Sequence, residues 1–249
     1  MTGGESRARR PQAYGAAEGY APPALPWSYR RKIQDFLKPE SRILDMDPGD
    51  GALLLSLRHP FGLTSVSESR AEALRLCEKK LAPLGVTVRP CGPGGALPYA
   101  DASFDLVLNG GAPYAADEVR RVLKPGGYFI TEQAGGSDGL RLRRMLGGGS
   151  ERPDFNLENE VQRFLRAGFS INFKDQCYGT GRFADTAALI RYAAARPQAF
   201  PGFSADGCAA QLEALEALEA LCARLGYIPN TEHRFILIAR KRKDGKNDG

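Results

Sequence analysis

The 249-residue sequence lacks the usual marks of a membrane, disulfide-linked or metal-binding protein. No apolar run approaches the roughly 18 residues that a bilayer-spanning helix needs, and the basic N-terminus has no apolar segment typical of a secretory signal. There are two histidines and five cysteines, and no two cysteines are spaced C-x-x-C. Because the cysteines are scattered and odd in number, we expect neither a disulfide framework nor a metal site. Together with the lack of a long apolar run, this predicts a globular protein of the reducing cytoplasm that does not contact a membrane.

Net charge is unevenly distributed along the chain. The total is +5, yet residues 1–40 carry +3 and residues 234–249 carry +4, so that the body between them, residues 41–233, carries −2. A nucleic-acid enzyme usually has a basic face on its folded body. The charge of this body does not argue for one.

Short strands alternate with helices through most of the chain. Residues 1–24, rich in Gly, Ala, Pro and Arg, are predicted to be a flexible tail, as are residues 244–249, while 25–243 form one domain. Strands are predicted at 42–46, 63–66, 86–88, 104–108, 128–131, 169–173 and 233–240. This alternation predicts right-handed βαβ units and a doubly wound α/β sheet.

A long insertion, residues 178–231, separates the last two predicted strands. Its segment 211–225 is predicted to be a helix with a leucine at every third position. A period of three drifts around a helix of 3.6 residues per turn, so the pattern favours a core or lid helix over a dimer zipper. The sequence leaves the oligomeric state open.

The clearest chemical signal is a glycine turn at residues 47–51, between the first predicted strand and an apolar helix start. Such a turn binds anionic or nucleotide ligands, because glycine permits close approach and the helix N-terminus presents free N–H groups. The sequence contains no P-loop string G-x-x-x-x-G-K-[ST]. Gly49 and Gly51 are not followed by the third glycine of the dinucleotide fingerprint. Of the three ligand classes that use such a turn, the one that remains is S-adenosylmethionine.

Three segments, taken in order, resemble motifs of the class I S-adenosylmethionine-dependent methyltransferases, in particular their type 11 domain. They are ILDMDPGDG at 43–51, FDLVLN at 104–109 and RVLKPGGYFIT at 121–131. A bacterial branch of this family is also similar in its Pro-Trp-x-Tyr segment at 26–29 and its terminal His-Arg-Phe strand at 233–235. The resemblance covers residues 25–243. It implies a Rossmann-like, seven-stranded sheet with helices on both faces and a helical insertion between strands six and seven.

The resemblance also implies which residues bind S-adenosyl-L-methionine. Asp45 would meet the ammonium group of its methionine part, and Glu68 would accept hydrogen bonds from the two ribose hydroxyls. The two glycines of the turn would allow the cofactor's close approach. The expected cofactor-binding residues are Asp45, Asp47, Gly49, Gly51, Glu68 and Asn109.

Two positions depart from the family's pattern. Asp47 stands where the first glycine of the turn is usual, and aspartate tolerates the left-handed backbone better than most residues. The position that often holds an adenine-binding acid falls near Pro93, and no carboxylate occurs between Glu78 and Asp101. Adenine would therefore rest on backbone N–H groups and apolar contacts around residues 92–97.

The resemblance implies methyl transfer without a catalytic triad, because the sulfonium of the cofactor is itself the electrophile. His59 and His233 are therefore expected to be structural. The acceptor is expected to be a small molecule that lies over residues 109–114 and the loop after Gln133. The insertion's aromatic residues, Tyr178, Phe183, Phe200 and Phe203, would roof this pocket.

Two alternatives stay open. The basic ends and the Arg-Leu-Arg-Arg stretch at 141–144 would suit an RNA methyltransferase, in which bases could stack on the aromatic roof. The departures at Asp47 and Pro93 would suit a methyltransferase-fold binding protein without catalytic activity. The sequence identifies neither the acceptor nor a catalytic residue.

Overall fold

Parallel strands alternate with helices through the first half of the chain, as the sequence predicts. The structure, a computed structural model, describes residues 18–92, 94–150, 152–195, 200, 203 and 209–243. Residues 1–17 of the predicted tail at 1–24, the predicted tail at 244–249 and Pro93 lie outside these ranges. The described strands are Tyr20–Ala21 (β1), Ile43–Met46 (β2), Thr64–Glu68 (β3), Thr87–Pro90 (β4), Phe104–Asn109 (β5), Leu123–Ala134 (β6), Phe169–Phe183 (β7) and Ile228–Lys241 (β8). The described helices are Tyr29–Phe36 (α1), Ala52–Leu57 (α2), Ala71–Lys80 (α3), Ala116–Val122 (α4), Leu140–Met145 (α5), Leu157–Arg166 (α6), Thr186–Ala194 (α7) and Ala209–Leu225 (α8).

The strands form one sheet in the order β1-β7-β8-β6-β5-β2-β3-β4. Strands β2 to β6 run parallel, whereas β8 is antiparallel to β6 and β7, and β1 is antiparallel to β7. The order reverses between β2 and β5, and this reversal opens a crevice at their carboxyl ends, where sheets of this kind bind ligands. The doubly wound sheet is therefore confirmed, with β1 as an eighth strand.

Side chains alternate across the sheet and build an apolar core on each face. Leu44 and Val107 pack with α4 and α6 on one face, whereas Ile43 and Leu106 pack with α1, α2 and α3 on the other. Because residues two apart share a face of a strand, Asp45 lies on the side of Ile43. Of the described helices, none is long and apolar enough to cross a membrane.

The last two strands are longer than predicted. β7 continues to Phe183 instead of ending at Phe173, and β8 begins at Ile228 instead of His233. The insertion is therefore shorter than the predicted residues 178–231, and its described helices are α7 and α8.

The aromatic residues expected to form a roof belong largely to a third apolar cluster beside α7 and α8. Phe183 and Phe200 are buried in this cluster, and Phe203 packs against it. Tyr178 is exposed and stacks on His233, with ring centroids 4.2 Å apart. The predicted roof is wrong for the three phenylalanines, because they fill a core instead of facing a cleft.

Residues 18–24, predicted as part of a tail, join the sheet through β1. Tyr20 pairs with Phe183 and is buried, and its hydroxyl donates a hydrogen bond to Glu232. Gly181 makes room for this contact, since a Cβ atom there would overlap the Tyr20 hydroxyl. The sequence does not reveal β1, because the burial of Tyr20 depends on the missing side chain of Gly181, which is distant in the chain.

Candidate functional site

The turn between β2 and α2 has the left-handed backbone that its glycine pattern predicts. Asp47, Gly49 and Gly51 have φ angles of 53°, 64° and 72°. The Asp47 N–H donates to the Ser67 carbonyl of β3 at 2.7 Å, which ties the turn to the neighbouring strand. Aspartate thus takes the left-handed conformation at the position where glycine is usual.

The two glycines of this turn have different surroundings. A Cβ atom on Gly49 would meet nothing within 4 Å, so this residue faces open space. A Cβ atom on Gly51 would lie 2.8 Å from Cδ2 of Leu81. Gly49 therefore suits the expected close approach of a ligand, whereas Gly51 is needed for packing and for the start of α2. The expected contact of Gly51 with the cofactor stays a prediction.

Asp45 is buried in β2 and has no partner for its charge among the described residues. Its parallel neighbours are Val66 and Leu108, both apolar, and the residue is 3 % exposed. Burial, together with the negative charges of Asp47 and Glu68, raises the pKa of Asp45 to about 8. An ionised Asp45 at neutral pH therefore requires a cationic partner.

Glu68 ends β3, next to the turn, and is 1 % exposed. Its Oε1 accepts hydrogen bonds from the backbone N–H and Nε of Arg70, at 3.0 and 3.2 Å. Its Oε2 is buried, and no donor in the described part of the chain reaches it. Burial raises the pKa of Glu68, and the adjacent Asp47 adds to the rise against the opposing effect of Arg70. The free oxygen is an acceptor without a donor.

The carboxylate of Asp47 links two turns of the sheet edge, a contact that the sequence did not predict. Its Oδ1 accepts from both the backbone N–H and the hydroxyl of Ser69, at 2.7 and 2.8 Å. Asp47, Asp45 and Glu68 thus form a group of three carboxyl groups at the carboxyl ends of β2 and β3. Within the described ranges, no His, Cys, Asp and Glu side chains are grouped so that they could hold a metal ion.

Asn109, the last residue of β5, is fully buried at the same edge. Its Oδ1 accepts from Gln133 Nε2 at 2.6 Å, from Thr131 Oγ1 at 3.3 Å and from the Gly111 N–H at 3.2 Å. Because a backbone N–H can only donate, Gly111 fixes which end of the amide is the oxygen. The structure therefore shows Asn109 joining β5 to β6, and its contact with a cofactor stays a prediction.

Sequence reasoning gave no role to Tyr29, which connects these strands. The Tyr29 hydroxyl accepts from the Asn109 N–H and donates to the Ile130 carbonyl, both at 3.0 Å. Trp27, in the same segment, donates from Nε1 to Glu132 at 2.7 Å. The single tryptophan and the tyrosine two residues later were the available signal.

Other expected positions have structural partners. His59 is buried, with Nε2 2.7 Å from the Ser41 carbonyl oxygen. His233 Nδ1 lies 2.9 Å from the Ser137 hydroxyl, and burial lowers the pKa of its ring.

The backbone expected to hold adenine is partly occupied. The Leu97 N–H donates to Glu118 Oε2 at 2.8 Å, and its carbonyl accepts from Arg121 Nη2 at 2.9 Å. The expectation that residues 92–97 offer free backbone groups to adenine is therefore wrong at Leu97.

Comparison with known proteins agrees with this geometry. Residues 44–131, which contain the turn, Glu68 and Asn109, match a family model described as a methyltransferase domain. Among solved structures, the chain is similar to the YcgJ protein of Bacillus subtilis, with 16 % identity over 86 % of this chain and 98 % of that chain and a TM-score of 0.60. No curated protein matches its sequence.

Two further structures share the fold. A candidate methyltransferase from Bacillus halodurans C-125 has 14 % identity over 87 % of this chain and 99 % of that chain, with a TM-score of 0.59. An S-adenosylmethionine-dependent methyltransferase from Methanosarcina mazei has 18 % identity over 86 % of this chain and 98 % of that chain, with a TM-score of 0.51. Residues 44–131 thus match a methyltransferase domain, and the chain shares its fold with structures of S-adenosylmethionine-dependent methyltransferases.

Proposed function

We propose that this protein binds S-adenosylmethionine at the carboxyl ends of β2 and β3 and transfers its methyl group to a small-molecule acceptor. The observation that carries the proposal is the buried Oε2 of Glu68, an acceptor without a donor beside an open glycine turn. A buried carboxylate oxygen is costly unless a donor completes it.

The residues present fit this cofactor. Its ribose offers two hydroxyl donors, which suit Glu68, and its amino-acid part offers an ammonium group, which suits the unpartnered Asp45. The space in front of Gly49 would admit the cofactor against the backbone. When bound, the cofactor supplies an electrophilic methyl group on a sulfonium.

The chain's own contribution to the reaction is alignment. It has to hold the acceptor's nucleophilic atom in line with the methyl group and exclude water. A general base is required only where the nucleophile carries a proton at the working pH. The absence of a histidine role at this edge is consistent with an acceptor that enters already deprotonated or as a free amine.

A small acceptor is favoured over RNA by the net charge of −2 on residues 41–233 and by two arginines, Arg143 of α5 and Arg234 of β8, that already have partners. Arg143 donates to the carbonyl oxygens of Gly136 and Asp138, and Arg234 pairs with Glu232 at 3.3 Å. Phosphates would have to compete for these two guanidinium groups, whereas Arg141 and Arg144 of the same basic stretch are exposed.

Cofactor binding is tested by calorimetric titration of the intact chain with S-adenosylmethionine. Glu68→Ala should weaken binding by about 1.5–3 kcal/mol, the range for hydrogen bonds to a charged group. Glu78→Ala, which removes an exposed carboxylate of α3, is the matched control and should leave affinity unchanged. Absence of heat and of any thermal shift in the intact protein at millimolar ligand would contradict the proposal, since ligand binding stabilises the folded state.

The acceptor class is tested by removing the basic ends. Because Tyr20 and Lys241 are built into the fold, the truncation should keep residues 18–243. If the acceptor is small, transfer of a labelled methyl group to it is unaffected, because charged tails add mainly screened, long-range attraction. RNA binding that falls steeply with salt and is lost on truncation would favour the RNA alternative. Cofactor binding without transfer to any acceptor would favour a binding protein.

A further inference from the structure

Asp47 is the third carboxylate of the site, and it stands in the turn at a position where glycine is usual in the methyltransferase family. Both hydrogen bonds from Ser69 fall on its Oδ1, so its position is fixed between the turn and β3. The left-handed φ of 53° is one that aspartate, asparagine and glycine adopt more readily than other residues. The residue is therefore held in place rather than left at the end of a mobile loop.

The charge of Asp47 acts on the space where the other carboxyl groups lie. It contributes to the raised pKa of Asp45, of Glu68 and of the Cys77 and Cys91 thiols. The compensating charge comes from Arg70, whose side chain is 66 % exposed and thus well screened by solvent.

A second observation indicates what this charge is for. Glu68 Oε2 is buried without a donor, and the charges that act on the buried Asp45 are those of Asp47 and Glu68, both negative. Buried anions of this kind are stable when a cation or a set of donors completes them. The group does not have the arrangement of a metal site in the described part of the chain, so an organic cation is the ligand that fits.

We propose that Asp47 makes the cofactor site selective for charge, favouring the cationic S-adenosylmethionine over its neutral product, S-adenosylhomocysteine. This inference rests on the proposed function, since both ligands must enter the same site. The two ligands differ in the transferred methyl group and in the positive charge on sulfur. A negative charge fixed beside the glycine turn distinguishes them through that charge, and so promotes exchange of product for fresh cofactor.

The size of the effect follows from Coulomb's law. For an assumed separation of about 8 Å, a unit charge changes an affinity by between about twofold in bulk water and about thirtyfold at an effective dielectric constant near 20. A site at the carboxyl edge of a sheet lies between these limits. We therefore expect the ratio of the two dissociation constants to change by about fivefold when the charge of Asp47 is removed.

The test is calorimetric titration of the intact chain with each ligand in turn. Asp47→Asn is the decisive variant, because an asparagine oxygen still accepts both Ser69 hydrogen bonds while the charge is lost. Glu78→Gln is the matched control; Glu78 is an exposed carboxylate of α3, outside the turn, and does not contribute to the raised pKa of Asp45 or Glu68. We expect the preference for S-adenosylmethionine to fall about fivefold in Asp47→Asn and to stay within twofold in Glu78→Gln.

The outcomes separate this inference from the proposed function. If the unaltered chain binds neither ligand, the proposed function fails. If it binds both and the preference changes by less than twofold in Asp47→Asn, the inference is overturned while the function stands. Should Asp47→Asn not fold, Asp47→Gly replaces it, because glycine accepts the same φ; an unchanged preference there overturns the inference equally.

Discussion

Substituting alanine for Gly51 should cost more folding stability than substituting it for Gly49, whereas the substitution at Gly49 should cost more cofactor affinity. Replacing either with alanine forces an L-residue into the left-handed region, at a cost of about 1–2 kcal/mol. At Gly49 nothing further is lost, since the new methyl group enters open space. At Gly51 the methyl group would lie 2.8 and 2.9 Å from the two terminal carbons of Leu81. Overpacking of this kind adds about 1–3 kcal/mol.

Gly51→Ala should therefore lower the free energy of unfolding by about 2–5 kcal/mol, and Gly49→Ala by about 1–2 kcal/mol. Cofactor binding should show the reverse order. The methyl group of Gly49→Ala occupies the space through which the ligand would reach the backbone, so affinity should fall at least about tenfold, and Gly49→Val should abolish it. The folded fraction of Gly51→Ala should bind nearly as well as the unaltered chain.

Urea unfolding followed by circular dichroism measures the first quantity, and calorimetric titration with S-adenosylmethionine measures the second. The reasoning fails if Gly49→Ala binds the cofactor with the affinity of the unaltered chain, because the open space would then not be the binding site. It also fails if Gly51→Ala is no less stable than Gly49→Ala, because the contact with Leu81 would then be unimportant.

Three further outcomes are expected. The pKa of Asp45 is raised from 3.8 to about 8, so between these pH values the folded state holds a proton that the unfolded state has lost. The free energy of unfolding of the ligand-free protein, measured in urea, should therefore fall as the pH rises from about 4 to 8. Affinity for the cationic cofactor, measured by calorimetry, should rise towards pH 8 because Asp45 becomes ionised. Gly181→Ala should lower the free energy of unfolding by about 1–3 kcal/mol by displacing Tyr20, whereas Gly62→Ala, which meets nothing within 4 Å, should stay neutral in the same assay. Tyr29→Phe should lower the free energy of unfolding by about 1–3 kcal/mol, because it removes the hydroxyl that hydrogen-bonds a buried N–H of β5 and a carbonyl of β6.

Sequence reasoning succeeded where the chain's own pattern determines the structure. The central strands β2, β5 and β6 are apolar over several successive residues, since helices cover both faces, and such runs are recognisable without knowing their neighbours. The turn at 47–51 was recognised for the same reason, because the backbone conformation it needs is one that glycine supplies locally. The roles of Asp45 and Glu68 were implied by the family resemblance, and their contacts with a cofactor stay predictions.

It failed where structure depends on distant partners. Much of β7 is partly exposed, with a polar, glycine-containing sequence, so its strand character comes from pairing with β8 and not from its own composition. Gly179 and Gly181 are the positions over which Pro23 and Tyr20 pack, a contact that no local pattern indicates. The phenylalanines of the insertion were assigned to a cleft because sequence does not distinguish an aromatic core from an aromatic lining.

The hydrogen bond between Asp47 and Ser69 shows the same limit at the site itself. These residues lie 22 positions apart, and they meet because β2 and β3 pair in parallel with Met46 opposite Ser67. Only this register places the residue after β2 beside the residue after β3. In the sequence, Asp47 is a departure from the glycine motif. In the folded chain, its carboxylate is held by Ser69 and adds a third negative charge to the site. Its consequence for ligand choice could be proposed only once that register was known.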